Sequence, residues 1–119
     1  MLRGEPTVLE ANEETFEGLV MRSPVPVLLD LWAPWCEPCR LVAPGLREIA
    51  RSFAGRARVV RINVDESRGL PRRLGVHGIP AVVLVDGGTV LGAAVGVRPQ
   101  HEYESLLHQV LQQREKPAL

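Results

Sequence analysis

Two cysteines separated by two residues, Cys36 and Cys39, are the side chains of this sequence best suited to chemistry. A thiolate is a strong nucleophile, and two thiols at this spacing can close a disulfide or bind a metal. Pro38 suits the first turn of a helix, where its missing N–H costs nothing. We therefore expect Cys36 in a first helical turn, where the helix dipole stabilises a thiolate, and Cys39 one turn deeper and more shielded.

Two other interpretations of the cysteine pair remain open at this point. A C-x-x-C pair is half of many structural zinc sites, but a complete site needs two more ligands and the chain has no further cysteine. The three histidines, His77, His101 and His108, lack the close spacing of a zinc-ligand pair. The other alternative is a pair of buried, unreactive cysteines. The loop and aromatic residues around the two cysteines argue against it. We expect no metal.

The composition is that of an ordinary globular protein with a single domain. The chain has 119 residues, of which 45% are hydrophobic and 24% charged, and 14 basic residues balance 14 acidic ones. Zero net charge argues against nucleic acid or an anionic membrane as a partner. The longest apolar runs, residues 25–29 and 79–85, are too short to span a membrane, and residues 1–6 lack the apolar segment of a signal peptide. We expect a cytoplasmic monomer.

The apolar pattern predicts a buried strand and a helix that hold the cysteine pair between them. Residues 25–32 are apolar at odd and even positions alike, which is typical of a strand inside a mainly parallel sheet. Asp30 is the one charge in this run, and Pro26 should delay full pairing until after it. A helix with an apolar stripe follows the cysteines, is kinked by Pro44 and ends at Ala54-Gly55.

The other elements alternate in the same way. They are a strand at 7–10, a helix capped by Asn12, a strand at 59–64, a short helix at 67–74 broken by Pro71, hairpin strands at 81–85 and 89–95, and an amphipathic helix marked by residues 103–111. Together they predict an α/β protein, a three-layer sandwich with a mixed sheet of about five strands and about four helices. We expect its core at residues 7–113 and a frayed tail at 114–119.

Residues 31–40, which read L-W-A-P-W-C-E-P-C-R, closely resemble the active-site segment of thioredoxins, W-A-x-W-C-G-P-C-K. The resemblance extends over residues 8–111 in the same element order and implies the thioredoxin fold. In the same resemblance, Asp30 corresponds to a buried carboxylate of the family and Pro44 to a proline that kinks a helix. Asn63-Val64-Asp65 corresponds to the end of the family's third strand. Gly78-Ile79-Pro80 corresponds to its cis-proline loop, and Gly96 to a glycine near its substrate groove.

This resemblance implies a protein-disulfide reductase that cycles between the Cys36–Cys39 dithiol and disulfide, without any other cofactor. Cys36 would attack substrate disulfides, and Cys39 would resolve the mixed disulfide. Asp30 would accept the proton of Cys39, although a purely structural pair of Asp30 with Arg61 is the alternative. The implied partners are proteins with reducible disulfides and a flavin-dependent thioredoxin reductase as electron donor.

The resemblance also implies a substrate groove beside Cys36. A cis bond before Pro80 would hold the backbone of Ile79 open to an extended substrate segment, whereas the alternative is a plain turn. Trp35, Gly78 and Gly96 would complete the groove, although a core position is the alternative for Trp35. The residues expected to tune the site are Glu37, Pro38, Trp32, Arg61 and Pro44.

Three residues depart from the family pattern. Glu37 replaces the glycine between the cysteines, Ala81 replaces a threonine after the proline, and Arg61 replaces a lysine. The charge of Glu37 should disfavour a neighbouring thiolate, although water screens it. Membrane-tethered reductases of cytochrome c maturation also carry C-E-P-C, so a dedicated pathway reductant is a second hypothesis. A binding or chaperone module with dispensable cysteines is the third.

Overall fold

A five-stranded mixed sheet forms the centre of the computed structural model, which describes residues 8–115. The strands are β1 (Leu9–Ala11), β2 (Val27–Trp32), β3 (Arg58–Asn63), β4 (Ala81–Asp86) and β5 (Thr89–Val95). They lie in the order β1-β3-β2-β4-β5. β1 and β2 run parallel to β3, whereas β4 is antiparallel to β2 and β5 to β4. The mixed sheet predicted from the sequence is confirmed, with β2 at its centre.

Helical segments cover both faces of the sheet. They are a π-helical turn (Glu17–Met21), α1 (Cys39–Ser52), α2 (Gly69–Arg73) and α3 (Gln100–Glu115). One face packs against α1 and α3 in a core that includes Leu46 and Leu107. The opposite face packs against the π-helical turn and α2 through Val20 and Leu70. The predicted three-layer α/β sandwich is confirmed.

The central strand β2 carries the residues that lie beneath the cysteine pair. Its side chains alternate, so that Leu29 joins one core and Leu28 the other. Asp30 is on the same face as Leu28 and is fully buried. β2 begins at Val27, directly after Pro26, as the missing N–H of proline predicts.

Two of the predicted helices differ from the observed ones. Asn12 does accept hydrogen bonds from the backbone N–H groups of Glu14 and Thr15, but the segment that follows is a π-helical turn instead of an α-helix. Pro71 does not break α2, because it is the third residue of that helix. The N–H groups of a first turn have no intrahelical partner, so a proline there removes no hydrogen bond.

The hairpin between β4 and β5 requires the two glycines that the sequence places there. Gly87 and Gly88 have φ angles of 60° and 81°, in the left-handed region that side chains disfavour. Positive φ at both central residues is the geometry of a tight two-residue hairpin turn. The predicted hairpin is confirmed.

The last helix extends further than the sequence predicts. α3 runs through Glu115, so the expected fraying does not begin at Arg114. The Arg114 guanidinium donates a hydrogen bond of 2.8 Å to the carbonyl of Pro24 and lies 3.5 Å from an Asp86 carboxylate oxygen. Residues 116–119 of the predicted tail and residue 7 of the predicted first strand lie outside the described residues. Within residues 8–115, no helix is both long and apolar enough to cross a membrane.

Candidate active site

A disulfide joins Cys36 to Cys39 just after the end of β2. Their Cα atoms are 5.4 Å apart, well within the range of an ordinary disulfide. Cys39 is the first residue of α1, so Cys36 lies in the turn before the helix and not in its first turn as predicted. The amide of Cys36 bonds to the carbonyl of Ala33 at 3.1 Å, which closes this turn. Cys36 therefore sits just before the N-terminal end of α1, where the helix dipole is positive.

The two cysteines form a small apolar cluster with the residues around them. Cys36 is 4% exposed and Cys39 is 2% exposed, and Ala33 is buried with them. The predicted contrast between an accessible Cys36 and a shielded Cys39 is therefore absent from the disulfide form. Ile79 and Val64 pack against this cluster from neighbouring loops.

The loop before β4 packs against the cysteines with a cis peptide bond. The bond between Ile79 and Pro80 is cis, as the resemblance predicts. The carbonyl of Pro80 accepts a 2.8 Å hydrogen bond from the amide of Gly96, whose φ of 99° favours glycine. A Cβ atom on Gly78 would lie only 3.3 Å from a methyl group of Val95. The two ends of the β4–β5 hairpin thus hold the cis-proline loop in place.

Asp30 is a carboxyl group with no exposure to solvent. Its Oδ2 accepts a 3.2 Å hydrogen bond from Nε of Arg61, while its Oδ1 has no partner. Burial raises the pKa of Asp30 from 3.8 to about 6, although the charge and hydrogen bond of Arg61 act in the opposite direction. Glu10 adds a smaller increase to this pKa. Asp30 can therefore gain and lose a proton near neutral pH.

Arg61 connects Asp30 to the surface of the site. Its guanidinium lies 4.2 Å from the centre of the Trp32 ring, a cation–π contact, and 3.9 Å from a carboxylate oxygen of Glu10. Trp32 packs against the cysteine cluster, and its indole N–H is buried without a partner. Arg61 and Cys39 line a common cavity, which brings the Asp30 ion pair and the second cysteine into one neighbourhood.

Comparison with known proteins agrees with this arrangement. Residues 7–109 match the family model described as Thioredoxin. A thioredoxin of Haemophilus influenzae is 41% identical over 102 residues, which cover 86% of this chain and 95% of that protein. A thioredoxin of Thiocapsa roseopersicina is 45% identical over 66% of this chain and 86% of its own length. For a thioredoxin of Pseudomonas aeruginosa the identity is 36%, over 84% and 93% of the two chains.

The chain belongs to the thioredoxin family. It is a thioredoxin-type protein-disulfide reductase, and its redox-active group is the Cys36–Cys39 disulfide. Within residues 8–115, no group of three or more His, Cys, Asp or Glu side chains is arranged to hold a metal ion. The zinc half-site interpretation of the cysteines therefore finds no further ligands in the described part of the chain.

In this member of the thioredoxin family, an exposed tryptophan stands directly before the first cysteine. Trp35 is 69% exposed, which excludes the core position considered from the sequence. Its indole N–H lies 3.1 and 3.2 Å from the two carboxylate oxygens of Asp65. The sequence analysis gave Asp65 no role. Its position just after β3, which runs parallel to β2, places it at the same edge of the sheet as Trp35 and could have indicated this contact.

Further exposed apolar side chains, none of them predicted as site residues from the sequence, lie on α1 and at the end of β5. Leu41, Val95 and Val97 are all exposed. Leu41 and Val97 line one shallow cavity, and Val95 lies beside Gly78. The position of Leu41 on α1, outside the buried stripe of that helix, is the signal that could have identified it.

The tuning roles expected for Glu37, Pro38 and Pro44 stay predictions, but the structure gives the surroundings of each residue. Glu37 and Pro38 are exposed between the cysteines, and among residues 8–115 Glu37 has no ion pair. Pro44 is inside α1, where it cannot donate a hydrogen bond to the preceding turn, and a kink there stays a prediction. Ala81, a departure from the family pattern, is fully buried as the first residue of β4.

Proposed function

We propose that Cys36 is the nucleophile and Cys39 the resolving thiol of this reductase. In the first step the Cys36 thiolate attacks one sulfur of a substrate disulfide, forms a mixed disulfide and releases the other substrate sulfur as a thiolate. In the second step the Cys39 thiolate attacks Cys36, which releases the second substrate thiolate and leaves the Cys36–Cys39 disulfide. Two electrons pass from the protein dithiol to the substrate.

The assignment of these two roles is supported by the position of each cysteine. Cys36 lies in the turn before α1, next to the exposed Trp35 and in contact with the cis-proline loop. A substrate that docks on these surfaces meets Cys36 first. Cys39 is the first residue of α1 and lies within disulfide distance of Cys36, so it can attack the Cys36 sulfur once a mixed disulfide has formed.

Asp30 is the proton acceptor for Cys39 in this proposal. Cys39 must lose a proton before it attacks, and a group with a pKa near the working pH is the most effective acceptor. The pKa of about 6 and the unpaired Oδ1 of Asp30 suit this task. Arg61, which bonds to the other oxygen, positions the carboxylate. The observation that carries the proposed mechanism is a buried, half-paired carboxyl whose partner Arg61 lines the same cavity as Cys39.

The cis-proline loop is the proposed docking site for the substrate backbone. Ile79 is half-buried against the cysteine cluster, and its backbone could pair with an extended substrate segment as an added strand does. Gly78 and Gly96 keep this approach open because neither carries a side chain. Trp35 would contact the substrate side chains beside the cleaved disulfide, a role that its large exposed ring supports.

The proposed partners are proteins with reducible disulfides and a thioredoxin reductase that restores the dithiol. A reductase of this kind needs a steady supply of electrons, which favours the cytoplasm as its compartment and a role in electron transfer and redox homeostasis there. Glu37 favours one competing function, a reductant dedicated to a single pathway, because C-E-P-C also occurs in such proteins. Reduction of the disulfide by purified thioredoxin reductase supports the general role, and failure of that reaction supports the dedicated one.

The roles of the two cysteines can be separated by trapping. Cys36→Ser should abolish the acceleration of insulin reduction by dithiothreitol, because no mixed disulfide can form. Cys39→Ser should also block turnover, but it should accumulate a mixed disulfide with insulin that mass spectrometry detects. Accumulation in Cys36→Ser instead would reverse the assignment, and full turnover in either variant would overturn it.

A further inference from the structure

A cavity of about 450 Å³ lies between the beginning of α1, the loop after β2 and strand β3. The side chains that define it are Arg40, Arg47, Arg61, Cys39, Trp32 and Ala43. Among the described residues, 8–115, no acidic side chain lines this cavity. Its volume falls within the range of about 300–1,000 Å³ that is typical of small-molecule sites.

The spacing of residues on α1 explains why the cavity exists. Cys39, Ala43 and Arg47 are four residues apart, so they share one face of the helix. Ala43 is the smallest of the three, and its methyl group leaves space between the helix and Arg61. The two arginines of the helix, Arg40 and Arg47, stand at either end of this space, about 10 Å apart along the axis.

The charge in the cavity is largely uncompensated. Arg40 and Arg47 are exposed and make no salt bridge with any residue of the 8–115 segment. Arg61 is different, because it contacts both Asp30 and Glu10. Two arginines that line the cavity therefore have no carboxylate partner within residues 8–115, in a chain whose total charge is zero.

We propose that this cavity binds a small molecule that carries a diphosphate group. Guanidinium groups bind phosphate oxygens through paired, charge-assisted hydrogen bonds. Arg40 and Arg47 line the cavity together with Arg61, so a ligand there meets several cationic donor sets, which favours the higher charge of a diphosphate over that of a single phosphate. The remaining volume next to Trp32 can hold an organic substituent. This inference concerns binding alone and does not depend on the roles proposed for the cysteines.

Inorganic pyrophosphate is the probe for this site. Isothermal titration calorimetry on the oxidised full-length protein at low ionic strength should show one binding site. Arg47→Ala should weaken the binding by about tenfold or more, because it removes a charge-assisted donor pair. Ala43→Leu should weaken it as well, since the larger side chain fills the cavity. Arg51→Ala is the matched control, because Arg51 is exposed on the same helix but outside the cavity, and binding should change less than about twofold.

Four results would overturn the proposal. The first is the absence of measurable binding, and the second is equal binding by wild type and an Arg40→Ala/Arg47→Ala variant whose circular dichroism shows it folded. The third is tighter binding of a short poly-glutamate peptide of matched charge, which would make the cavity a contact for an acidic protein segment. Orthophosphate should bind more weakly than pyrophosphate, and equal affinity would contradict the diphosphate assignment.

Discussion

Arg61 bonds to one carboxylate oxygen of Asp30 and leaves the other oxygen without a partner. The carboxyl group is therefore only partly compensated, although it has no contact with solvent. Burial raises the pKa of Asp30 and the guanidinium lowers it, and the balance is a pKa of about 6. A fully paired aspartate would remain ionised, and one without a cation would remain protonated. The single hydrogen bond keeps Asp30 able to exchange a proton.

This balance predicts a pH dependence of stability. Asp30 keeps its proton in the folded protein up to about pH 6, but in the unfolded chain it loses the proton near pH 3.8. The folded state thus binds more protons in this window, and the free energy of unfolding should fall as pH rises through it. The total contribution is about 3 kcal/mol. Asp30→Asn should therefore be more stable than wild type at pH 8 and similar to it at pH 4, as measured by urea unfolding.

Glu66→Gln is the control for this experiment, because Glu66 is an exposed carboxyl group that makes no salt bridge among the described residues. The free energy of unfolding of Glu66→Gln should equal that of wild type at both pH values. If the free energies of unfolding of Asp30→Asn and wild type differ by the same amount at pH 4 and at pH 8, the titration of Asp30 is contradicted.

Asp30→Asn should also slow the resolving step. The amide cannot accept the proton of Cys39, and loss of a general base typically costs a factor of about 10²–10⁴. The first attack by Cys36 should be less affected, so the mixed disulfide with a substrate should persist. Rapid quenching with acid and mass spectrometry would measure its lifetime between pH 6 and pH 8. An unchanged lifetime would leave Asp30 with a structural role only.

The sequence was sufficient to predict the fold and a cysteine pair between a buried strand and a helix, although Cys36 lies before that helix and not in its first turn. The apolar residues on both faces of β2 predicted a buried strand, and the two glycines of the hairpin predicted a tight turn. Both predictions are confirmed. Helix boundaries were less accurate. Pro71 was expected to break α2, but its effect depends on its place within the helix, which the pattern of residues does not determine.

Contacts between distant side chains could not be predicted in the same way. The hydrogen bond from Trp35 to Asp65 joins residues thirty positions apart, and the arginine-lined cavity depends on how α1 packs beside β3. The exposure of Cys36 was also wrong for the oxidised form, because the loops carrying Ile79 and Val64 close around the disulfide. These features arise from tertiary packing, which local periodicity does not report.

Replacement of Arg61 should shift the balance at Asp30. Arg61→Leu removes the guanidinium charge and the hydrogen bond, so the pKa of Asp30 should rise further above about 6. Arg61→Lys keeps the charge but loses the planar contact with Trp32, and its effect should be intermediate. The ¹³C chemical shift of the Asp30 carboxyl group, followed against pH, would measure both changes. A lower pKa in Arg61→Leu would show that another cation controls this carboxyl.

The hydrogen bond from Trp35 to Asp65 should matter for substrate binding. Asp65→Ala removes the acceptor that holds the indole, so the exposed ring should lose a fixed orientation. We expect KM for insulin to rise severalfold, because an exposed hydrogen bond contributes about 1 kcal/mol, with kcat nearly unchanged. Glu66→Ala is the neighbouring control and should leave KM unaltered. A fall in kcat alone would place Asp65 in the chemical steps instead of the docking surface.

Glu37 should reduce the reactivity of Cys36 in the dithiol form. Its carboxylate lies next to Cys36 in the chain, is exposed and makes no salt bridge with residues 8–115, so its negative charge opposes formation of the Cys36 thiolate. Glu37→Gln should therefore speed alkylation by iodoacetamide at pH 7 severalfold. Because the carboxylate is exposed, the difference from wild type should shrink as the salt concentration rises towards about 1 M. Glu66→Gln should react at the wild-type rate, and a slower reaction of Glu37→Gln would mean that the carboxylate assists the thiol by accepting its proton.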